Sequence, residues 1–408
     1  MANISSTTLI LVDLLLCVSA AMAARTKLPA AAGENFSICK SMVETQGYIC
    51  QEHNVTTPDG YIIGLQRISA AKNKITNYPP VLLQHGIFAD AVSWILGSPD
   101  ESLAFKLADD GFDVWLANTR GTLSSKGHIS LTPKDPAYWE WSWDELAAYD
   151  LPTFVGYVNN QTGQKLHYVG HSLVRFYTLF LDGTLTALSA FSHGKLLNML
   201  RSAAMLSPIA YLGQMSSLLG RTIAELFLAE NLYVIGVREF IPKAKDVGKL
   251  LDVACSKLGI SCSNLLTLFT GPNCCVKTST IDALLQHEPQ PTATKNMMHL
   301  VQMVRRGTIT KFNYNNVAQN LKHYEQATPP KYNMRSIPKN FPLLLSYGGK
   351  DTLSDVNDMQ VLLDDLRDHD ADKLVIQYRE EYAHLDFIMG TNANRIVFDP
   401  LIAFFKLH

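Results

Sequence analysis

A serine in the middle of the chain follows a short apolar run, at a spacing that could make its hydroxyl a nucleophile. Residues 166–169 are predicted to form a strand, and Gly170, His171, Ser172 and Leu173 come directly after it. A serine on a sharp strand-to-helix turn presents its hydroxyl at the carboxyl edge of a sheet, and glycine is needed because side chains would collide in the turn. Ser172 is therefore the candidate nucleophile, although a G-x-S tripeptide alone also fits a buried turn serine.

A carboxylate that could assist Ser172 follows it in the chain. In a strand–turn–helix arrangement of this kind, the order is Ser, then Asp or Glu, then His. Asp351 comes after a predicted strand at residues 343–347, which places it on a loop at the same edge of the sheet. Asp355 and Asp358 compete with it, but they lie at the start of the next predicted helix, where a carboxylate is expected to cap the helix.

Three of the 12 histidines follow Asp351. His369 lies at the charged end of a predicted helix, and His408 is the last residue. His384 comes six residues after the end of a predicted strand, where an imidazole could reach the nucleophile. We therefore predict that His384 acts as the general base, that Asp351 orients it, and that Ser172 forms an acyl-enzyme.

Backbone amides at two strand ends could bind the oxyanion that such a reaction develops. One is the N–H of Leu173, the residue after the nucleophile. The other is the N–H of Ile87, just past a predicted strand at residues 81–84, with Phe88 as the second choice. No phosphate-binding, dinucleotide-binding or H-E-x-x-H motif is present, and nothing in the sequence requires a metal or an organic cofactor.

The elements that would position these residues alternate between strands and helices. Further strands are predicted at residues 113–117, 203–206 and 374–378, with helices at residues 102–109, 144–158, 356–366 and 394–405. Two strand-like runs at residues 48–53 and 61–68 flank the turn at residues 58–60. Short apolar strands that alternate with helices predict an α/β fold with a mostly parallel sheet covered on both faces.

The middle of the chain has a different pattern. Residues 211–332 have helical periodicity and no convincing strand, and the apolar stretch at residues 218–237 is interrupted by charges, as in an amphipathic helix. We therefore predict a core in two parts, residues 25–207 and 336–408, with a helical cap at residues 208–335.

Composition excludes several classes of protein. The chain has 408 residues, of which 47% are hydrophobic and 18% charged, as is typical of a folded protein and not of a disordered one. Lys and Arg total 35 and Asp and Glu total 37. This balance leaves no basic surplus for a nucleic acid, and no transmembrane span is predicted.

The N-terminal segment predicts entry into the secretory pathway. Residues 9–18 are almost wholly apolar, and Ala21, Met22 and Ala23 fit a cleavage site, so residues 1–24 are predicted to be a signal peptide. A buried N-terminal helix is the alternative. Secretion agrees with three glycosylation sequons, at Asn35, Asn54 and Asn160.

Six cysteines remain after removal of the signal peptide, an even number that suggests disulfides. Cys39 and Cys50 are expected to pair locally. The other four, Cys255, Cys262, Cys274 and Cys275, allow three connectivities. Zinc is an alternative, but no histidine spacing of the expected kind accompanies them.

Together, these motifs resemble those of the acid lipase family, which includes gastric and lysosomal acid lipases, and most of all its plant triacylglycerol lipase 2-like members. The resemblance rests on "LLQHGIFADAVSWI", "GFDVWLANTRGT", "DPAYWEWSWDELAAYDLP", "HYVGHSL", "YGGKD" and "YAHLDFIMG". It implies an α/β-hydrolase core with a helical cap or lid, and hydrolysis of acyl esters of neutral lipids at a membrane or droplet interface. It also supports Ser172, Asp351 and His384, with Ile87 and Leu173 as oxyanion donors.

The chain departs from the family pattern directly after the nucleophile. The family has Gly, usually followed by Thr, two residues after the serine, whereas Val174 and Arg175 stand here, and Gly183 and Thr184 come nine residues later. Residues 174–182 are therefore predicted to be an insertion that impairs activity. Val174 would put a β-branched side chain where close packing of strand and helix favours glycine. In a continuous helix, nine extra residues would turn Leu185 and Leu188 away from the sheet by about half a turn, unless the helix breaks at residues 182–183. The alternative is that the insertion forms a new helix and that the elbow tolerates Val174.

Three functions remain open at this stage. The first is a secreted or vacuolar serine lipase. The second is an esterase or acyltransferase that uses the same residues on smaller esters. The third is a non-catalytic lipid-binding protein that kept the fold.

Overall fold

A sheet of nine described strands forms the centre of the molecule. The computed structural model describes residues 36–70, 78–172, 183–240, 267 and 270–408. The described strands, of which β8 and β9 lie outside this sheet, are β1 Ile49–Thr56, β2 Tyr61–Ser69, β3 Pro80–Gln84, β4 Asp113–Ala117, β5 Gly127–His128, β6 Leu166–His171, β7 Leu200–Leu206, β8 Glu239–Phe240, β9 Thr292–Ala293, β10 Leu343–Gly348 and β11 Leu374–Arg379. The sheet has the order β1-β2-β4-β3-β6-β7-β10-β11, with β5 paired to β2. Strands from β4 to β11 in this order pair in parallel, whereas β1, β2 and β4 pair antiparallel.

The apolar strands of this sheet are buried on both faces. Every residue of β3 and β4 is buried. Successive side chains of a strand point to opposite faces, so Val81 and Leu83 pack into one apolar cluster, whereas Leu82 packs into another. This explains why the parallel strands have nearly continuous apolar sequences instead of an alternating pattern.

Helices cover the two faces of the sheet. They are α1 Leu103–Asp109, α2 Leu151–Thr162, α3 Gly183–Ser192, α4 Leu218–Glu225, α5 Leu228–Val234, α6 Thr278–His287, α7 Thr294–Arg306, α8 Val317–Tyr324, α9 Val356–Asp365 and α10 Asp399–Leu407, with shorter helical segments at Trp143–Glu145 and Asp386–Met389. π-Helical turns occur at Cys39–Val43, Leu146–Asp150 and Asn394–Phe398. Among the described residues, no helix is long and apolar enough to cross a membrane.

The structure confirms the α/β class and most predicted elements. The described part of the predicted cap contains α4–α8, and it supplies no strand to the large sheet. The expectation that this segment has no strand is wrong, because β8 and β9 form a two-stranded ribbon. Each strand has only two residues, which is too short to produce an alternating pattern. The amphipathic stretch predicted there forms α4 and α5, separated at Phe227, where φ is 51°.

Two predictions about covalent chemistry fall partly within the described residues. Cys39 and Cys50 form a disulfide, as predicted, and Cys274 is bonded to its neighbour Cys275. The side chains of Asn54 and Asn160 are exposed, as a glycan requires. The predicted signal peptide, Asn35, Cys255 and Cys262 lie outside the described residues.

Candidate active site

Ser172 follows β6 at a turn that two glycines allow to close tightly. A Cβ atom on Gly170 would lie 2.8 Å from the carbonyl oxygen of Gly183, and a Cβ atom on Gly183 would lie 2.5 Å from that of His171. The hydroxyl of Tyr168 donates a hydrogen bond of 2.6 Å to the Gly183 carbonyl and holds the two segments together. Because no side chain fits between these backbones, the sequence needs glycine on both sides of the nucleophile.

Asp351 and His384 form a buried acid–base pair. Asp351 follows β10 and His384 follows β11, so both come after strands that end at the same edge of the sheet. Asp351 Oδ2 lies 2.7 Å from His384 Nδ1. Asp351 Oδ1 accepts hydrogen bonds from the backbone amides of Leu353 and Ser354, both at 2.9 Å, which fix the carboxylate. A carboxylate on Nδ1 favours the tautomer that carries its proton there, which leaves Nε2 as the basic nitrogen.

The two atoms proposed to react, the Ser172 hydroxyl oxygen and the second ring nitrogen of His384, are both buried. Within the described residues, neither Ser172 Oγ nor His384 Nε2 has a hydrogen-bond partner, and both side chains are inaccessible to solvent. His171 connects the two loops: its ring centroid lies 5.2 Å from that of His384, and its Nε2 donates to the His384 carbonyl oxygen at 3.2 Å. Burial lowers the pKa of His171 well below its usual value, and the neighbouring His384 lowers it further, so His171 is neutral.

The predicted oxyanion loop follows β3, and a buried histidine anchors it. His85 Nδ1 lies 2.6 Å from the carbonyl oxygen of Gly86, and its Nε2 accepts a hydrogen bond of 3.1 Å from the amide of Thr119. Burial lowers the pKa of His85 to about 4, which keeps the imidazole neutral. Ile87 is buried, and the next residue, Phe88, has a φ of 60°.

The segment before α7 also forms hydrogen bonds with the predicted oxyanion loop. The amide of Gln290 donates to the carbonyl oxygen of Phe88 at 2.8 Å, and Glu288 Oε1 accepts from the amide of Asp90 at 3.0 Å. Asp90 itself is buried, and this burial raises its pKa to about 6, against the opposing hydrogen bonds of Val92 and Glu288. These contacts fix the backbone on which the Ile87 amide lies.

The structure replaces one expectation about the residues after Ser172. Close contact with the sheet was predicted for position 174. Gly183 makes this contact instead, since a Cβ atom added to it would lie 2.6 Å from the Gln84 carbonyl oxygen. The described part of helix α3 starts at Gly183, and Leu185 and Leu188 are fully buried on it, so neither residue is turned away from the sheet as the half-turn rotation would require. Leu173 and the predicted insertion at residues 174–182 lie outside the described residues.

The rejected candidates occupy other places in the fold. Asp355 is the N-cap of α9 and accepts from the amide of Asn357, as predicted. Asp358 accepts from the amide of Gln214 at 2.9 Å, and His369 Nε2 lies 2.7 Å from the carbonyl oxygen of Phe341. None of these contacts involves the Asp351–His384 pair.

The sequence interpretation missed the residues that fix the loop of His384 and the predicted oxyanion loop after β3. Asp386, Asn273 and Glu288 each accept a backbone amide of a site loop. Asp386, two residues after His384, is the only one of the three with a local signal, and its spacing alone resembles that of an ordinary helix-start carboxylate.

A parallel sheet whose strand ends bear Ser172, Asp351 and His384 in this chain order defines an α/β-hydrolase. Residues 79–173 match the family model described as the α/β hydrolase fold, and residues 39–98 match that of the partial α/β-hydrolase lipase region. A monoglyceride lipase structure from Saccharomyces cerevisiae shares the fold, with a TM-score of 0.54, 14% identity, and coverage of 92% of this chain and 99% of that chain.

Curated relatives place the chain more narrowly. It is 47% identical to triacylglycerol lipase 2 of Arabidopsis thaliana over 90% of this chain and 87% of that protein. It is 35% identical to human gastric triacylglycerol lipase over 89% of each chain. The chain belongs to the acid lipase family and is an ester hydrolase of that family.

Proposed function

We propose that this protein is a serine lipase that hydrolyses acyl esters of neutral lipids, such as triacylglycerols. The observation that carries the proposal is the buried pair of Asp351 and His384, at 2.7 Å, beside an elbow whose Ser172 Oγ lacks a hydrogen-bond partner among the described residues. Ser172 and His384 both follow strands whose carboxyl ends meet at one edge of the sheet, and a catalytic role explains why the buried Oγ and Nε2 atoms lack a partner within the described part of the chain. The relatives named as triacylglycerol lipases support the substrate class.

The proposed reaction passes through an acyl-enzyme. His384 Nε2 takes the proton of Ser172 as Oγ attacks the ester carbonyl carbon, and Asp351 stabilises the imidazolium that forms. The protonated His384 then gives its proton to the leaving alcohol. A water molecule, deprotonated by His384, attacks the acyl-enzyme and releases the fatty acid and free Ser172.

The proposed oxyanion donors are the backbone amides of Ile87 and Leu173. The contacts of His85, Glu288 and Gln290 support the first, because they fix the loop before the reaction begins. The second depends on a residue that directly precedes the predicted insertion. We infer that residues 174–182 lower the activity, because ten residues separate Ser172 from the first turn of α3.

The labelling of Ser172 tests this function. A fluorophosphonate forms a covalent bond only with an activated serine, so the folded protein is expected to carry one adduct at Ser172, read by mass spectrometry, and heat-denatured protein none. The labelled protein should also hydrolyse an emulsion of long-chain triacylglycerol faster than a soluble short-chain ester. The reverse preference would favour the esterase or acyltransferase alternative, and no adduct would favour the lipid-binding alternative.

The proposed partner of the cap is a lipid–water interface, at a membrane or a droplet. Four large apolar side chains of the α4–α5 region are exposed: Leu226, Phe227, Val234 and Ile235. Val234 is 83% exposed and Ile235 71% exposed. Val234 is the last residue of α5, and Ile235 follows it directly.

Replacement of Val234 and Ile235 together by aspartate should lower activity on the emulsion by about tenfold or more, because burial of each side chain in lipid contributes about 1.5–3 kcal/mol. Hydrolysis of the soluble ester should stay within about twofold. Leu407→Asp is the matched control, because Leu407 is 81% exposed but lies at the end of α10. Equal losses on both substrates would contradict an interfacial role for Val234 and Ile235.

The proposed route of the protein is the secretory pathway, with delivery outside the cell or to a vacuolar compartment. The Cys39–Cys50 disulfide and the exposed sequons at Asn54 and Asn160 support this route, because disulfides persist in oxidising compartments.

A further inference from the structure

A second buried carboxylate closely follows the proposed general base in the chain. Asp386 is fully buried, two residues after His384. Its Oδ2 accepts hydrogen bonds from the amides of Ala383, at 2.8 Å, and Cys274, at 3.1 Å, and its Oδ1 accepts from the amide of Cys275 at 3.0 Å. Burial raises the pKa of Asp386, and these three amides oppose the change. The carboxylate therefore joins the His384 loop to a distant part of the chain.

The segment at residues 270–275 also holds the backbone of the imidazole directly. The amide of His384 donates to the Thr270 carbonyl oxygen at 3.1 Å, and the amide of Leu385 donates to Asn273 Oδ1 at 3.0 Å. Asn273 is in turn fixed by a hydrogen bond of 2.7 Å from its Nδ2 to Thr270 Oγ1. Together with the amide of Ala383, three consecutive amides around the imidazole have defined acceptors.

The segment that supplies these contacts is itself fixed in three ways. The Cys274–Cys275 disulfide closes a ring through two adjacent residues, and the amides of both cysteines donate to the same carboxylate. The carbonyl oxygen of Cys275 accepts from the amide of Thr391 at 2.8 Å. A Cβ atom on Gly271, whose φ is 87°, would lie 1.9 Å from the carbonyl oxygen of Lys350, next to Asp351. The segment therefore packs against both the acid loop and the histidine loop.

We propose that Asp386 and Asn273 are positioning residues for His384, and this inference rests on the proposed role of His384 as the general base. Asp351 fixes only one end of the imidazole. The direction of Nε2 also depends on where the backbone of His384 lies, and a displacement of about 1 Å can cost about a hundredfold in rate. Asp386 and Asn273 fix that backbone on both sides of the histidine.

The test compares Asp386→Ala, Asp386→Asn and Asn273→Ala in the full chain, with a soluble ester as substrate. Asp386→Ala should lower kcat by about 10- to 100-fold with KM within about twofold, because the substrate contacts are unchanged. Asp386→Asn keeps one carbonyl oxygen and should recover part of the loss. Asn273→Ala frees a single amide and should lower kcat by a smaller factor, about three- to tenfold.

Asp358→Ala is the matched control, because Asp358 is also a buried carboxylate that accepts backbone amides, but it lies in α9. It should lower the melting temperature and leave the kcat of the folded protein unchanged. If Asp386→Ala folds and its kcat is unchanged, the positioning role is wrong. The proposed function would still stand in that case, provided that the wild-type protein is labelled at Ser172. Failure of the wild-type protein to label would instead overturn the proposed function.

Discussion

Replacement of Ser172 by alanine is expected to lower kcat for ester hydrolysis by about 10⁴- to 10⁶-fold. In the proposed reaction the Ser172 hydroxyl forms the acyl-enzyme, and His384 has no proton to take once Oγ is removed. The buried site has room for the change, since Ser172 Oγ has no hydrogen-bond partner among the described residues and its loss strands no other group. Turnover should be measured on a soluble ester and on an emulsion, with the melting temperature as a check of folding.

Ser189→Ala is the matched control for this replacement. Ser189 is also a fully buried serine, lies on α3, and has an Oγ without a hydrogen-bond partner among the described residues. Its replacement should leave turnover unchanged. Turnover that persisted in Ser172→Ala would mean that another group is the nucleophile, whereas lipid binding without turnover in the wild-type protein would favour the non-catalytic alternative.

The residues of the proposed reaction could be predicted because their positions depend on local patterns. Ser172, Asp351 and His384 each follow a short apolar strand, and parallel strands bring their carboxyl ends to one edge of a sheet. Chain order left three histidines and several acids, and the position after a predicted strand then selected one of each. The N-cap role of Asp355 was equally local, and the structure confirms it.

The residues that hold these groups could not be predicted, because their roles depend on distant parts of the chain. Asn273 and Asp386 are 113 residues apart (386 − 273), and Glu288 and Asp90 are 198 apart. A carboxylate in a sequence has the same appearance whether it caps a helix at the surface or accepts three buried amides. The β8–β9 ribbon was missed for a related reason, since pairing across about 50 residues gives two-residue strands no local signature.

The start of α3 shows a choice that sequence patterns could pose but not decide. The spacing of Gly183 and Thr184 allowed either one long helix through the insertion or a new start at Gly183. Packing places the described part of α3, because Leu185 and Leu188 are buried and the space beside the carbonyl oxygens of Gln84 and His171 admits only glycine at position 183.

Because of this packing, removal of residues 174–182 is expected to have the second largest effect on the reactivity of Ser172. Gly183 already occupies its place: a Cβ atom there would lie 2.5 Å from the His171 carbonyl oxygen, so its Cα lies within about 4 Å of that oxygen. Leu173 alone can therefore bridge Ser172 and Gly183. The shortened chain would place the Leu173 amide in the first turn of α3, where the helix dipole favours a developing negative charge.

We expect the shortened protein to react with a fluorophosphonate at Ser172 about 10²- to 10³-fold faster than the full chain, the contribution of one oxyanion donor. The rate constant should be measured by mass spectrometry at several reagent concentrations. Ser172→Ala in the shortened protein should abolish the adduct. Equal labelling rates in the two proteins would mean that the elbow tolerates the insertion, and the inferred impairment would be wrong.

Val174→Gly in the full chain separates the two physical reasons for impairment. If a β-branched side chain at position 174 were the obstacle, this replacement alone would restore the fast reaction. Because Gly183 already makes the close contact with the sheet, we expect Val174→Gly to leave the labelling rate within about twofold of the full chain. A gain equal to that of the shortened protein would assign the defect to position 174 and not to the separation of Ser172 from α3.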